Sequence, residues 1–191
     1  MVQPWQRVAT QRITQSFSPN LEISFPPIDE EEGAEGPMII EAEVGGHFIH
    51  RMYVDGGSAS KIMYEHCFNK LLPEFKTRMV PATALLIGFS GEIIWPLGRI
   101  SLLVKIGDAE HSTSAFMNFV VVRSASLYNG IIGRPGIRKI QAVPSTTYGM
   151  LKFLVEGGVL TIRSSKIVTI EYASIAGPIE QPPAINQARW Q

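Results

Sequence analysis

The sequence is short of cysteine, of long apolar runs and of net charge, and each shortage closes off a class of protein. A lone thiol, Cys67, excludes an internal disulfide and any zinc site built from several cysteines, and it agrees with a reducing compartment. No apolar run approaches the ~18 residues that a membrane-spanning helix needs, so no membrane partner is expected. Seventeen basic residues balance seventeen acidic ones, and neither kind is massed on a long segment. Electrostatic binding to nucleic acid is therefore not supported. The opening MVQPWQRVATQRITQ lacks a continuous apolar stretch, so it does not read as a secretory signal, and it bears only a weak likeness to a transit peptide. A cytoplasmic setting is the default expectation, with one core-forming domain and tails.

Residues 1–36 combine Gln, Ser and Pro with the run Asp29-Glu30-Glu31-Glu32 and read as a polar, disordered leader or linker. The pattern changes at Met38, where Met38, Ile40, Ala42 and Val44 alternate with Glu41 and Glu43. Gly45-Gly46 then turns the chain into His47 to Val54, which predicts a β-hairpin whose second strand delivers Asp55. Tyr64, Cys67, Phe68, Leu71 and Leu72 follow a helical period that ends near Pro73. Ala84 to Ile87 and Glu92 to Trp95 flank a glycine turn as a second hairpin, and Ile100 to Ile106 alternates as a strand. Phe116 to Val122 is β-branched and apolar, while Pro135 suits the first turn of a short helix. Leu151 to Val155 and Val159 to Ile162 make a last hairpin, and 166–191, with its prolines and Trp190, reads as a linker toward a further region. The whole implies an all-β barrel or sandwich, mostly antiparallel, with its domain over 37–165.

The segment Met52-Tyr53-Val54-Asp55-Gly56-Gly57-Ser58-Ala59 carries the chemistry: an apolar strand ends in an acid, two glycines and a hydroxyl. A carboxylate there is costly unless hydrogen-bonded, and glycines let backbone N–H groups approach it. Taken alone, the same residues also fit a turn in which Asp55 caps a helix. Gly88-Phe89-Ser90-Gly91 is likewise either an ordinary hairpin turn or a mobile one over a site, and with Glu92 following it is not a nucleophile elbow. His47 and His50, three apart on a strand, point to opposite faces and do not suggest a shared metal. Cys67 reads as core rather than nucleophile, and Trp95 as packing. No metal or other cofactor is implied.

In order, the hairpin leading into V-D-G-G-S-A, the G-F-S-G turn and Y-N-G-I-I-G-R-P resemble a retropepsin, specifically the protease region of a plant gypsy-type retrotransposon Gag-Pol polyprotein, over about Met38 to Arg163. The resemblance implies a retropepsin-like acid protease barrel, with a short helix after Ile131-Ile132-Gly133-Arg134 and a further helix possible after the catalytic loop. It makes Asp55 the residue that activates water, Gly56, Gly57 and Ser58 its loop, and Gly88, Phe89, Ser90 and Gly91 the tip of a flap over substrate. It makes Ile131, Ile132, Gly133 and Arg134 the structural support behind the loop. Two positions depart from the pattern. Gly56 replaces the Thr or Ser whose hydroxyl ties two catalytic loops together, and Ala59 replaces an acid that pairs with the arginine at Arg134, which then needs another partner, or water.

Peptide hydrolysis of this kind uses two carboxylates about 3 Å apart that share a proton around one water. No second Asp-Gly-Ser or Asp-Gly-Thr motif occurs, and a span of about 125 residues is too short for two lobes. Two copies of Asp55 would meet across a two-fold axis, so the expected partners are a second copy of the chain and a peptide or polyprotein substrate. The family setting is a cytoplasmic virus-like particle. The competing function is a catalytically inactive retropepsin-like module for dimerisation or peptide binding, motivated by Gly56 and Ala59.

Overall fold

The computed structural model describes residues 15–27, 36–88 and 90–165. The acidic run at Asp29, Phe89, Trp190 and the C-terminal linker over 166–191 lie outside these residues. The leader read as disordered contributes one strand, β1 (Gln15–Ser18). Its four residues are too few to show a period, and it is held by pairing along the C-terminal strand of the domain rather than by an apolar face of its own.

The predicted first hairpin forms from β2 (Ile39–Val44) and β3 (His47–Asp55), turning at Gly45 and Gly46, both at positive φ. Their register runs Ala42↔Ile49 and then Ile40↔Met52, so β3 spends one residue more than β2 over this interval. This is a β-bulge, and Arg51 within it has φ 54°. Met38, Ile40, Ala42 and Val44 are buried as the alternation predicts, but Glu41 is also buried, opposite the bulge. There its carboxylate meets His50 Nδ1 at 2.5 Å, the partner that a buried acid requires.

The single amphipathic helix expected after the loop is three pieces. Strand β4 (Lys61–Tyr64) comes first, followed by a one-turn helix α1 (Glu65–Phe68) and a second short helix α2 (Pro73–Thr77). Pro73 starts α2 rather than ending a helix, because a missing N–H is harmless in a first turn. The expected apolar face holds in part: Cys67, Phe68 and Leu71 enter the core and Phe75 joins them, whereas Tyr64 is half-buried and Leu72 is exposed. Beyond it, β5 (Leu86–Ile87) and β6 (Ile93–Ile94) form a hairpin with only two residues a side.

Long strands β7 (Gly98–Gly107) and β8 (Ser112–Val122) pair along their whole length, with Ile100, Leu102, Val104, Met117 and Phe119 directed inward. Then β9 (Gly130–Gly133) inserts between β3 and β4, parallel to the first and antiparallel to the second. The six strands close a barrel in the order β2-β3-β9-β4-β8-β7, sealed by Glu43↔Lys105 and Val44↔Val104. Helix α3 (Arg134–Lys139), with Pro135 in its first turn, leads to β10 (Ala142–Ser145), β11 (Met150–Val155) and β12 (Gly158–Arg163). These strands and β1 make a second sheet, β1-β12-β11-β10. Leu151, Phe153, Leu160 and Ile162 join it to the same hydrophobic core as the barrel. The architecture is therefore all-β with short helices, as the sequence predicts. Among the described residues no helix is long and apolar enough to cross a membrane.

Candidate active site

Strand β3 places Met52 and Val54 in the core and leaves Tyr53 and Asp55 half-buried on the opposite face. Asp55 is the last residue of the strand, so the chain can turn around its carboxylate. Gly57 N–H donates to Asp55 Oδ1 at 2.9 Å, and Ser58 N–H donates to the Asp55 carbonyl at 3.2 Å. A Cβ on Gly57 would stand 3.2 Å from Oδ1, so glycine allows this close backbone approach. The Ser58 hydroxyl donates to the Ser60 carbonyl at 3.1 Å and accepts from Ser60 N–H at 3.3 Å, which ties the far side of the loop. One carboxylate oxygen is thus fixed by the main chain, an arrangement that orients an acid for work on a bound water.

The loop is braced from behind by β9. Asp55 pairs with Gly133 in parallel register, and a Cβ on Gly133 would lie 2.0 Å from the Ser60 carbonyl oxygen and 2.7 Å from that of Ser58. Only glycine fits there. Arg134 N–H donates to the Ser58 carbonyl at 2.9 Å, and its guanidinium reaches the Gly56 and Gly57 carbonyls at 3.2 and 3.4 Å. These main-chain oxygens are the partner that Arg134 takes where Ala59 offers no acid. Ile132 is core at 1% exposure, whereas Ile131 is half-buried on the other face, abreast of Tyr53 and Ile62. The structure thus brings Asp55, Gly56, Gly57, Ser58, Gly133 and Arg134 into one cluster.

Gly56 is different from its neighbours. Its backbone is outside the positive-φ region and a Cβ there would meet nothing within 4 Å. The residue following the aspartate therefore faces open space, with room for the hydroxyl side chain that it lacks.

Sequence reasoning missed an aromatic pair beside this loop. Tyr53 and Tyr128 stack with centroids 5.1 Å apart. Burial raises the Tyr53 phenol above its ordinary pKa, and the Asp55 charge pushes it in the same direction. Tyr128 is raised by burial and then by Tyr64. Both phenols therefore stay neutral at ordinary pH and can donate hydrogen bonds. The available signal was the i, i+2 spacing of Tyr53 and Asp55, which puts the two on one face of a strand.

The Gly88 to Gly91 turn caps the β5–β6 hairpin. Gly88 N–H donates to the Glu92 carbonyl at 2.9 Å, Gly91 N–H to the Gly88 carbonyl at 3.0 Å, and the Ser90 hydroxyl to Glu92 Oε2 at 2.8 Å. The Ser90 bond holds the exposed Glu92 carboxyl below its usual range. Ile87 is 75% exposed, Ile93 61% and Trp95 75%, so Trp95 is not the packed residue expected beside Pro96. A two-residue ladder gives it no second layer to pack on.

The remaining candidates lie elsewhere. Cys67 is buried and burial pushes its thiol up to about 11, which removes it as a nucleophile. His47 Nδ1 lies 3.0 Å from the Gly45 carbonyl, while His50 meets Glu41. Asn129 donates through Nδ2 to the His50 carbonyl at 2.7 Å and contacts His66 Nε2 at 3.1 Å through Oδ1. It pins the bulge of β3 to the start of α1.

No family model and no curated protein sequence matches the chain. Among solved structures, the chain is similar to the retroviral protease-like domain of Ddi1 from Leishmania major, with 14% identity and a TM-score of 0.48 over 68% of this chain and 94% of that one. It is also similar to EIAV protease complexed with the inhibitor HBY-793, with 14% identity and a TM-score of 0.43 over 58% of this chain and 94% of that one.

Proposed function

We propose that the chain is a retropepsin-like aspartic endopeptidase, active as a homodimer, that processes a retrotransposon polyprotein. The observation that carries this reading is the Asp55 carboxylate. It sits at a strand end outside the core, takes a backbone N–H from Gly57, and stands on a loop locked by Gly133 and Arg134. Two such carboxylates, one from each subunit, share a proton; one accepts the proton of the attacking water while the other donates to the scissile carbonyl oxygen. The tetrahedral intermediate collapses as the leaving nitrogen is protonated, and the dyad returns to its singly protonated form. No metal enters the step. Tyr53, Ile131 and Ile62 offer a half-buried surface for substrate side chains, and the β5–β6 hairpin closes over the peptide.

The test pairs cleavage of a polyprotein-derived peptide with sedimentation of the purified chain. The expected result is a dimer whose cleavage is blocked by a pepstatin-type inhibitor and falls about 10³-fold in Asp55→Asn, with melting and dimerisation retained. Cleavage that survives Asp55→Asn would sink the mechanism. A stable but inert chain would point to the binding module instead.

A further inference from the structure

Residues 20–27 follow β1 and reach Lys152 on β11 and Tyr148 in the turn before it, without becoming a strand. Pro26 and Pro27 have no N–H to give a ladder, and Pro26 holds Phe25 extended. At its two prolines the segment can be held only through carbonyls and side chains. The Ser24 carbonyl accepts from Lys152 Nζ at 2.7 Å and the Pro26 carbonyl accepts from Tyr148 OH at 2.6 Å. Between them the Phe25 ring stacks on Tyr148 with centroids 5.2 Å apart, and the Lys152 ammonium lies 5.1 Å from the ring centroid. Each of the two side chains therefore makes one contact to the backbone and one to the same aromatic ring. An aromatic surface with donors aimed at alternate carbonyls is the chemistry that recognises extended, proline-containing peptides, whose stiffness lowers the entropy cost of binding.

We infer that Tyr148 and Lys152 form a second peptide-binding site, on the four-stranded sheet, that takes an extended aromatic–proline segment and is filled here by the chain's own Ser24-Phe25-Pro26. The site goes beyond the proposed protease chemistry and does not depend on it. Because its occupant is tethered, a free peptide competes against a high effective concentration and enters only when the internal segment is weakened.

The test uses the full chain carrying Asp55→Asn, so that no peptide is cut, with a pepstatin-type inhibitor present to block the loop site. A labelled peptide with the sequence of residues 21–27 is titrated in. Phe25→Ala should bind it saturably and at least about tenfold more tightly than the chain with native Phe25. Adding Tyr148→Phe and Lys152→Met should weaken that binding about tenfold or more. In a second measurement on the chain with native Phe25, the Tyr148→Phe, Lys152→Met pair should speed nicking at Glu22 by a glutamate-specific protease about tenfold, with nicking elsewhere unchanged. Equal peptide binding with and without Phe25, no loss on removing Tyr148 OH and the Lys152 ammonium, or an unchanged nicking rate at Glu22 would each overturn the inference.

Discussion

The Asp55 loop and the β5–β6 hairpin are both glycine-bearing turns, yet they are built in opposite ways. Around Asp55 the main chain is enclosed: Gly133 leaves no room for a methyl group, Ser58 is bonded on both sides, and Arg134 closes over the Gly56 and Gly57 carbonyls. The hairpin has two residue pairs, exposed isoleucines and little beneath it. A group that must hold a water in one orientation gains from main-chain contacts on every side. A segment that covers a substrate and then releases it must be held lightly, and local stability falls with the number of buried contacts. In their packing the two turns stand at opposite ends of that scale, as the roles proposed for them require.

Gly133→Ala tests the enclosed end most severely. Its Cβ would press on backbone oxygens that cannot rotate away, so a loss of about 3 kcal/mol is expected, read as a fall in the denaturation midpoint together with loss of cleavage. A variant as stable as the native chain would show that the loop is softer than its packing implies. At the open end, Ile87→Ser combined with Ile93→Ser should change stability by less than about 0.5 kcal/mol. If the hairpin covers substrate as proposed, the same pair raises the KM for peptide by about tenfold, a cost of about 1.4 kcal/mol in binding. An unchanged KM would detach the hairpin from the site. Gly56→Ser gives the smallest effect and the sharpest contrast within the loop. With open space around Gly56 and no positive φ to satisfy, it should raise stability by up to about 0.5 kcal/mol. A marked loss would mean that Gly56 is as enclosed as Gly133.

Much of this was legible in the sequence where a period and a turn coincided. The β2–β3 hairpin and the strand β7 had alternating apolar residues beside glycine, the β11–β12 hairpin had two apolar runs flanking Gly157-Gly158, and each formed. The helix over Tyr64 to Leu72 shows how a correct face can accompany a wrong element. Cys67, Phe68 and Leu71 are buried as the spacing required, but the chain reaches that face through a strand, a single turn and a fresh start at Pro73. Strand β10 was missed because four residues containing Pro144 do not resemble a strand. At the site, the strand-end position of Asp55 was legible and the partner of Arg134 was not, since main-chain carbonyls leave no mark in the residue types. Buried Glu41 was misread for the opposite reason: alternation alone assigned it to solvent, and the bulge that gives it His50 lies on another strand.

That bulge has a larger consequence for the acid at the end of β3. Ile49 faces the core, and strict alternation from it would send residues 51, 53 and 55 inward as well. The extra residue near Arg51 advances the phase, so Met52 and Val54 turn inward and Asp55 comes out on the other side. Straighten that bulge while keeping every residue, and the same letters would drive the carboxylate into a greasy interior while swinging valine and methionine toward water. The face the aspartate takes is therefore settled by counting, four residues upstream of it, before any chemistry begins.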